Sequence, residues 1–195
     1  HTTAASHNRI FIVEIMGHKV GWITLHAGIA GGADVILIPE IPYDIKKVYE
    51  AIDKRTKNNK GFTIVAVAEG AISKEVAELP KKKRKEAIAN SPYPSVAYEM
   101  ADKLKEFTTQ DIRIAIPGHT QRGGSPCPYD RVLCTRLGSA AAQAIIEEDY
   151  GCMIAMINGE TKRVPLAEVS GKLKTVDPDC QMIQEAKRIG ISFGD

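Results

Sequence analysis

Seven residues concentrate more chemistry than any other stretch of the chain: Gly118-His119-Thr120-Gln121-Arg122-Gly123-Gly124, closed by Ser125-Pro126. Four hydrogen-bonding side chains, an imidazole and a guanidinium among them, stand between glycines. Glycines permit positive φ and close backbone approach to a ligand, as phosphate-binding loops require. A turn with only a structural task is filled by Asn, Asp, Ser and Pro instead, so this composition favours an anion site. A second polar stretch, Met16-Gly17-His18-Lys19, follows an apolar run that itself contains Glu14, and a third, Glu69-Gly70, follows another such run. Cations for a phosphate and a carboxylate for hydroxyl protons are what a phosphorylated polyol needs. Each part alone is weak, because a lone glutamate after a strand most often caps a helix or faces solvent. Their convergence carries the expectation.

The elements that must position these residues are legible as short β-branched runs at Ile10 to Ile15, Val35 to Ile38, Thr63 to Ala68, Ile112 to Ile116 and Met153 to Ile157. Near-continuous hydrophobicity in each predicts strands covered on both faces. Helical patterns lie between them at Val20 to Ala30, Ile45 to Thr56, Val96 to Phe107 and Tyr129 to Glu148. The alternation predicts an α/β fold, a mostly parallel sheet flanked by helices on both faces in a Rossmann-like three-layer arrangement. Ligands of such sheets settle beyond the carboxyl ends of the strands, and there the polar stretches fall. Arg9 and Arg113 open the first and fourth runs, at the opposite ends. Spacing alone reads them as ordinary exposed strand-end arginines, or as side chains projecting into a neighbouring subunit's site.

Gly31-Gly32 and Gly151 suit helix stops. Asn158-Gly159-Glu160 reads as a turn into a short polar strand, Thr161 to Val164, ahead of a final amphipathic helix near Cys180 to Arg188. Ser73 to Pro94 breaks the alternation and reads as an exposed excursion, with Lys81-Lys82-Lys83-Arg84-Lys85 on a solvated helix face.

With 195 residues the chain can bury a core, and a formal net charge of +2 argues against a nucleic-acid or membrane partner for the whole molecule. Cys127, Cys134, Cys152 and Cys180 show neither C-x-x-C pairing nor zinc-finger spacing, which suits a reducing cytoplasm. No stretch approaches the length of a membrane span. Because the chain begins at His1 and runs almost directly into an apolar segment, it is expected to be part of a longer protein.

In order along the chain, Glu14-Ile15-Met16-Gly17-His18-Lys19-Val20-Gly21-Trp22, Ala27-Gly28-Ile29-Ala30-Gly31-Gly32-Ala33-Asp34, Ile38-Pro39-Glu40, Ala68-Glu69-Gly70, the Gly118 to Pro126 loop and Tyr129-Asp130-Arg131 resemble the 6-phosphofructokinases. The similarity runs from Ser6 to about Gly159, and an ordered set of motifs is far more specific than any one of them.

The resemblance implies a phosphofructokinase-like fold and a parent enzyme that phosphorylates fructose 6-phosphate at O1, yielding fructose 1,6-bisphosphate in glycolysis. It implies that Met16, Gly17 and His18 contact the sugar, that Glu69 holds it, and that His119 and Arg122, with Thr120 and Gln121 between them, grip sugar and 6-phosphate. Arg9 and Arg113 match two family arginines that reach the 6-phosphate from an adjacent subunit of a homodimer or homotetramer. Most of the family has Arg where this chain has His18, which makes His18 the candidate transition-state contact and leaves open whether the donor is ATP or pyrophosphate. Residues 1–195 correspond to the C-terminal, sugar-phosphate-binding part. The donor loop, the catalytic Asp and the residues that hold Mg2+ with its donor lie N-terminal to it in the family, so this chain alone is expected to bind but not turn over. The rival from another class is a non-catalytic module that senses a sugar phosphate in the same pocket.

Overall fold

A computed structural model describes all 195 residues, which form two units, residues 1–121 with 174–195 and residues 122–173. The first unit contains α1 (Thr2–Ser6), β1 (Ile10–Ile15), α2 (Trp22–Ala30), β2 (Val35–Leu37), α3 (Ile45–Lys57), β3 (Thr63–Ala68), α4 (Lys74–Ala77), α5 (Lys81–Ala89), α6 (Val96–Leu104) and β4 (Ile112–Ala115). The second contains α7 (Pro128–Ile146), β5 (Cys152–Ile157), β6 (Glu160–Pro165) and α8 (Leu166–Val169), and α9 (Gln181–Arg188) returns to the first. No helix is long and apolar enough to cross a membrane.

The first unit is the expected three-layer α/β arrangement. Its four strands are all parallel in the order β2-β3-β1-β4. Every residue of β3 is buried, which is why its five apolar residues, Ile64 to Ala68, show no alternation. On one face Val48 and Ile52 of α3 and Met100 and Leu104 of α6 pack on Ile10, Ile12, Val65 and Val67. On the other, Leu25 of α2 and Ile183 and Ala186 of α9 meet Ile36, Ile38 and Ala66.

Local signals fix the helix ends. Beyond α2, Ala33 N–H donates to Gly28 O at 2.8 Å and Gly32 N–H to Ile29 O at 3.2 Å, with Gly32 at φ 67°. This is the double bond pattern of a left-handed helix terminus, so the Gly31-Gly32 stop is borne out. At α6 the hydroxyl of the N-cap Ser95 makes no cap bond; the buried Glu14 reaches across from β1 and accepts from Ala97 N–H at 2.9 Å. Glu14 is therefore structural, a carboxylate spent on a helix N-terminus.

The excursion after β3 forms α4 and α5. No residue of α5 is buried, and Arg84 turns back to the carbonyls of Ala77 and Leu79. The last residues do more than close the chain: Ser192 exchanges backbone hydrogen bonds with Asp34 and Ile36 along the β2 edge, at 3.0 and 2.9 Å, and Phe193 is buried.

The second unit departs from the sequence expectation. Its run near Met153 to Ile157 is not a buried parallel strand: β5 pairs antiparallel with β6 and is partly exposed. Asn158 and Gly159 have φ of 52° and 80°, the signature of the two-residue turn that folds a strand onto its sequence neighbour. Gly151 does not stop α7, because Glu148 takes the left-handed position at φ 55° while Asp149 N–H donates to Ala144 O at 2.9 Å. Along α7 the stripe Leu133, Leu137, Ala140, Ala141 and Ala144 is half-buried to buried, while Tyr129, Val132, Ile145 and Ile146, scattered around the helix, are exposed.

Candidate functional site

Parallel register sets Ile15 beside Ala68 and Val13 beside Ala115, so the segments leaving β1, β3 and β4 emerge side by side. They are fastened by side chains. One oxygen of Glu69, Oε1, accepts from Gly17 N–H at 3.1 Å and from His18 N–H at 2.7 Å. Gln121 Oε1 accepts from Met16 N–H at 3.2 Å. Three consecutive amides after β1 are thus held by side chains that follow β3 and β4, and Val20 N–H closes the loop on Gly17 O at 3.2 Å.

The loop is also tight. His18 lies at φ 54°, a conformation uncommon outside glycine and asparagine and often found at ligand sites. Gly70 makes room for it, because a Cβ there would stand 1.9 Å from His18 O. Beyond the loop, both oxygens of Glu40 accept from Gly21 N–H at 3.1 Å, and Oε1 also accepts from Val176 N–H at 2.9 Å. Trp22 Nε1 donates to Lys174 O at 2.8 Å, so the start of α2 is anchored to the returning chain.

The structure thus brings together Met16, Gly17, His18, Glu69 and Gln121. Gly118–Arg122 forms a 3-10 turn, in which Thr120 bonds Pro117 O through both its amide and its hydroxyl. Thr120 therefore holds its own turn, whereas the exposed side chains of His119 and Arg122 make no hydrogen bond within the chain. Arg122 opens the second unit. The imidazole of His18 and the amine of Lys19 are exposed.

Arg9 and Arg113 stay at the amino ends of their strands, away from this group. Both meet Asp111 Oδ2, Arg9 through Nε at 2.7 Å and Arg113 through Nη2 at 2.9 Å. Neither Asp111 nor the anchoring role of Glu40 was singled out by the sequence. The period-two pattern Asp111-x-Arg113 at the head of a strand is the signal that would have flagged the former.

A cleft of about 620 Å³ lies within the second unit, lined by Thr135, Arg136, Ser139, Gln143, Lys162 and Arg163 among others. It includes none of the residues above. Within it Arg163 is paired with Glu147 and Asp149, and Arg136 donates to Gly159 O. No group of three or more His, Cys, Asp or Glu side chains comes together to hold a metal ion.

A family model described as phosphofructokinase matches residues 1–145. The ATP-dependent 6-phosphofructokinase of Spirochaeta thermophila is 48% identical over 195 residues, covering 100% of this chain and 53% of the relative. The pyrophosphate–fructose 6-phosphate 1-phosphotransferase of Amycolatopsis methanolica is 44% identical over 178 residues, covering 91% and 52%. Among solved structures, a pyrophosphate-dependent phosphofructokinase from Marinobacter aquaeolei superposes with a TM-score of 0.74 at 21% identity, covering 98% of this chain and 51% of that one, a likeness of fold. The chain spans about half the length of the curated relatives it matches.

Proposed function

The chain belongs to the phosphofructokinase family, and from that premise we propose that it is the sugar-phosphate half of a 6-phosphofructokinase, binding the fructose 6-phosphate that the parent enzyme phosphorylates at O1 in glycolysis. The observation that carries this reading is the fastening of the Met16 to His18 loop by Glu69 and Gln121 at three adjacent strand ends. The loop presents His18, and the turn after β4 adds His119 and Arg122 as exposed donors. A sugar with one phosphate matches that combination of cations and a carboxylate.

In this reading residues 1–195 form the C-terminal, acceptor part, and the donor-binding part belongs to the remainder of the parent chain. The residues present do not fit magnesium, which needs several oxygen ligands in a near-octahedral set; Mg2+ would arrive with ATP or pyrophosphate on the other part. Arg9 and Arg113 would serve the site of a neighbouring subunit in a homodimer or homotetramer, and the parent enzyme would work in the cytoplasm.

The test is a phosphoryl-transfer assay on the full-length protein with fructose 6-phosphate and each donor offered separately. Formation of fructose 1,6-bisphosphate with one of them is expected, and inactivity with both would refute the reading.

A further inference from the structure

At the amino ends of β1 and β4 two arginines share one carboxylate oxygen. Ile10 stands beside Ile112 in the parallel register, and Ile10 N–H donates to Asp111 O at 3.0 Å. Arg9 and Asp111 are therefore opposite one another one step earlier, and Arg113, two residues on from Asp111, shares its face of the strand. Asp111 Oδ2 binds Arg9 Nε at 2.7 Å and Arg113 Nη2 at 2.9 Å. The side chains of Arg9, Asp111 and Arg113 are 21%, 45% and 54% exposed, so the cluster opens to the surface. Arg9 keeps both terminal amino groups, and Arg113 its Nε and other terminal amino group, without a partner in the chain.

We propose that Asp111 is a positioning residue: it holds Arg9 and Arg113 as one preformed fork for the phosphomonoester of a sugar bound by a neighbouring copy. The proposal rests on the acceptor-site reading above. Two guanidinium groups brought together repel one another, and each arginine loses rotamer freedom when it is fixed. One carboxylate oxygen offsets the repulsion and fixes both geometries before the ligand arrives, which is how preorganisation raises affinity. The cluster keeps a net positive charge, two cations against one anion, for a phosphate carrying about −1.5 to −2.

Charge and geometry predict opposite signs when Asp111 is neutralised. If only net charge mattered, Asp111→Asn would make the fork more cationic and tighten phosphate binding. If Asp111 positions the fork, the same change weakens it. In the full-length enzyme we expect Asp111→Asn to raise KM for fructose 6-phosphate about tenfold, with kcat, the donor's KM and the melting temperature unchanged. In a background carrying both Arg9→Ala and Arg113→Ala the same substitution should add little, because its effect runs through the two arginines.

An unchanged or lowered KM in Asp111→Asn, alongside a raised KM in Arg9→Ala and Arg113→Ala, overturns the positioning role and leaves the acceptor-site reading standing. Unchanged KM in the two arginine variants instead removes Arg9 and Arg113 from the acceptor site, and the fork proposal with them, while the loop after β1 keeps its role. Should Asp111→Asn fail to fold, Asp111→Glu decides: it keeps the charge but moves it by one methylene, so a raised KM supports the proposal and a wild-type KM overturns it.

Discussion

Replacing Gly70 by alanine tests the strand-end interlock at its tightest point. The added Cβ would lie 1.9 Å from the carbonyl oxygen of His18 and 3.1 Å from its carbonyl carbon. Backbone atoms cannot swing aside as a side chain can, so the loop must move by about 1 Å or more to reach ordinary contact. The amides of Gly17 and His18 now lie 3.1 and 2.7 Å from Glu69 Oε1, and a shift of that size away from β3 takes them past useful hydrogen-bonding range. Two bonds to an exposed carboxylate are worth about 2 kcal/mol together, which is roughly thirtyfold in affinity if the loop seen here is the one that meets the sugar. The assay is KM for fructose 6-phosphate in the full-length enzyme. It is paired with the emission of Trp22, the only tryptophan of the chain, which begins α2 four residues after His18. We expect a large rise in KM, a shifted emission and a stability loss of about 2 kcal/mol, no more because the buried residues of β1 and β3 are untouched. A shifted emission with wild-type KM would refute the claim that this loop conformation serves binding.

Two further predictions concern neighbouring features. Glu14→Ala removes the acceptor from a buried helix N-terminus and should cost about 2 kcal/mol in denaturant unfolding of the chain, whereas Glu14→Gln, which keeps an acceptor oxygen, should cost less than half as much. Arg122→Ala should abolish fructose 6-phosphate binding in calorimetry while Lys83→Ala leaves it intact; equal losses would mean that binding follows charge and not the site.

What could be read from the sequence divides along physical lines. β1, β2 and β3 were legible because burial on both faces leaves a nearly continuous apolar run, and β1 and β3 have the expected ends; β4 is only partly buried and carries the exposed Arg113. The same signal misled at β5, since a local Asn158-Gly159 turn captured that run for a hairpin, and apolarity alone does not say which strand a run pairs with. The polar residues were likewise legible by type and not by partner. Glu14, Glu40 and Glu69 look alike as carboxylates beside apolar runs, but one caps α6, one anchors Gly21 and Val176, and one gathers the loop after β1. Register decided among them, and register is not written in any single run. Asp111 passed unnoticed for the same reason: its meaning depends on Arg9, 102 residues away in sequence.

The two clusters lie at opposite ends of the same strands, and that separation has a consequence. From Arg9 to Met16 the chain is extended over seven residues, roughly 23 Å at the rise of a parallel strand, far longer than a hexose phosphate. One sugar cannot touch the loop and the arginine fork of a single copy. If both serve the same ligand, each site needs the loop of one copy and the arginines of another. Glu69→Ala and Arg9→Ala should then complement each other when co-expressed in the full-length enzyme. In a mixed pair related by a two-fold axis, one site collects both lesions and the other collects neither. Random pairing makes half of the pairs mixed, so about a quarter of wild-type activity should return from two variants that are each nearly inactive alone. No recovery, with mixed pairs present by native mass spectrometry, would mean that loop and fork do not share a substrate across copies.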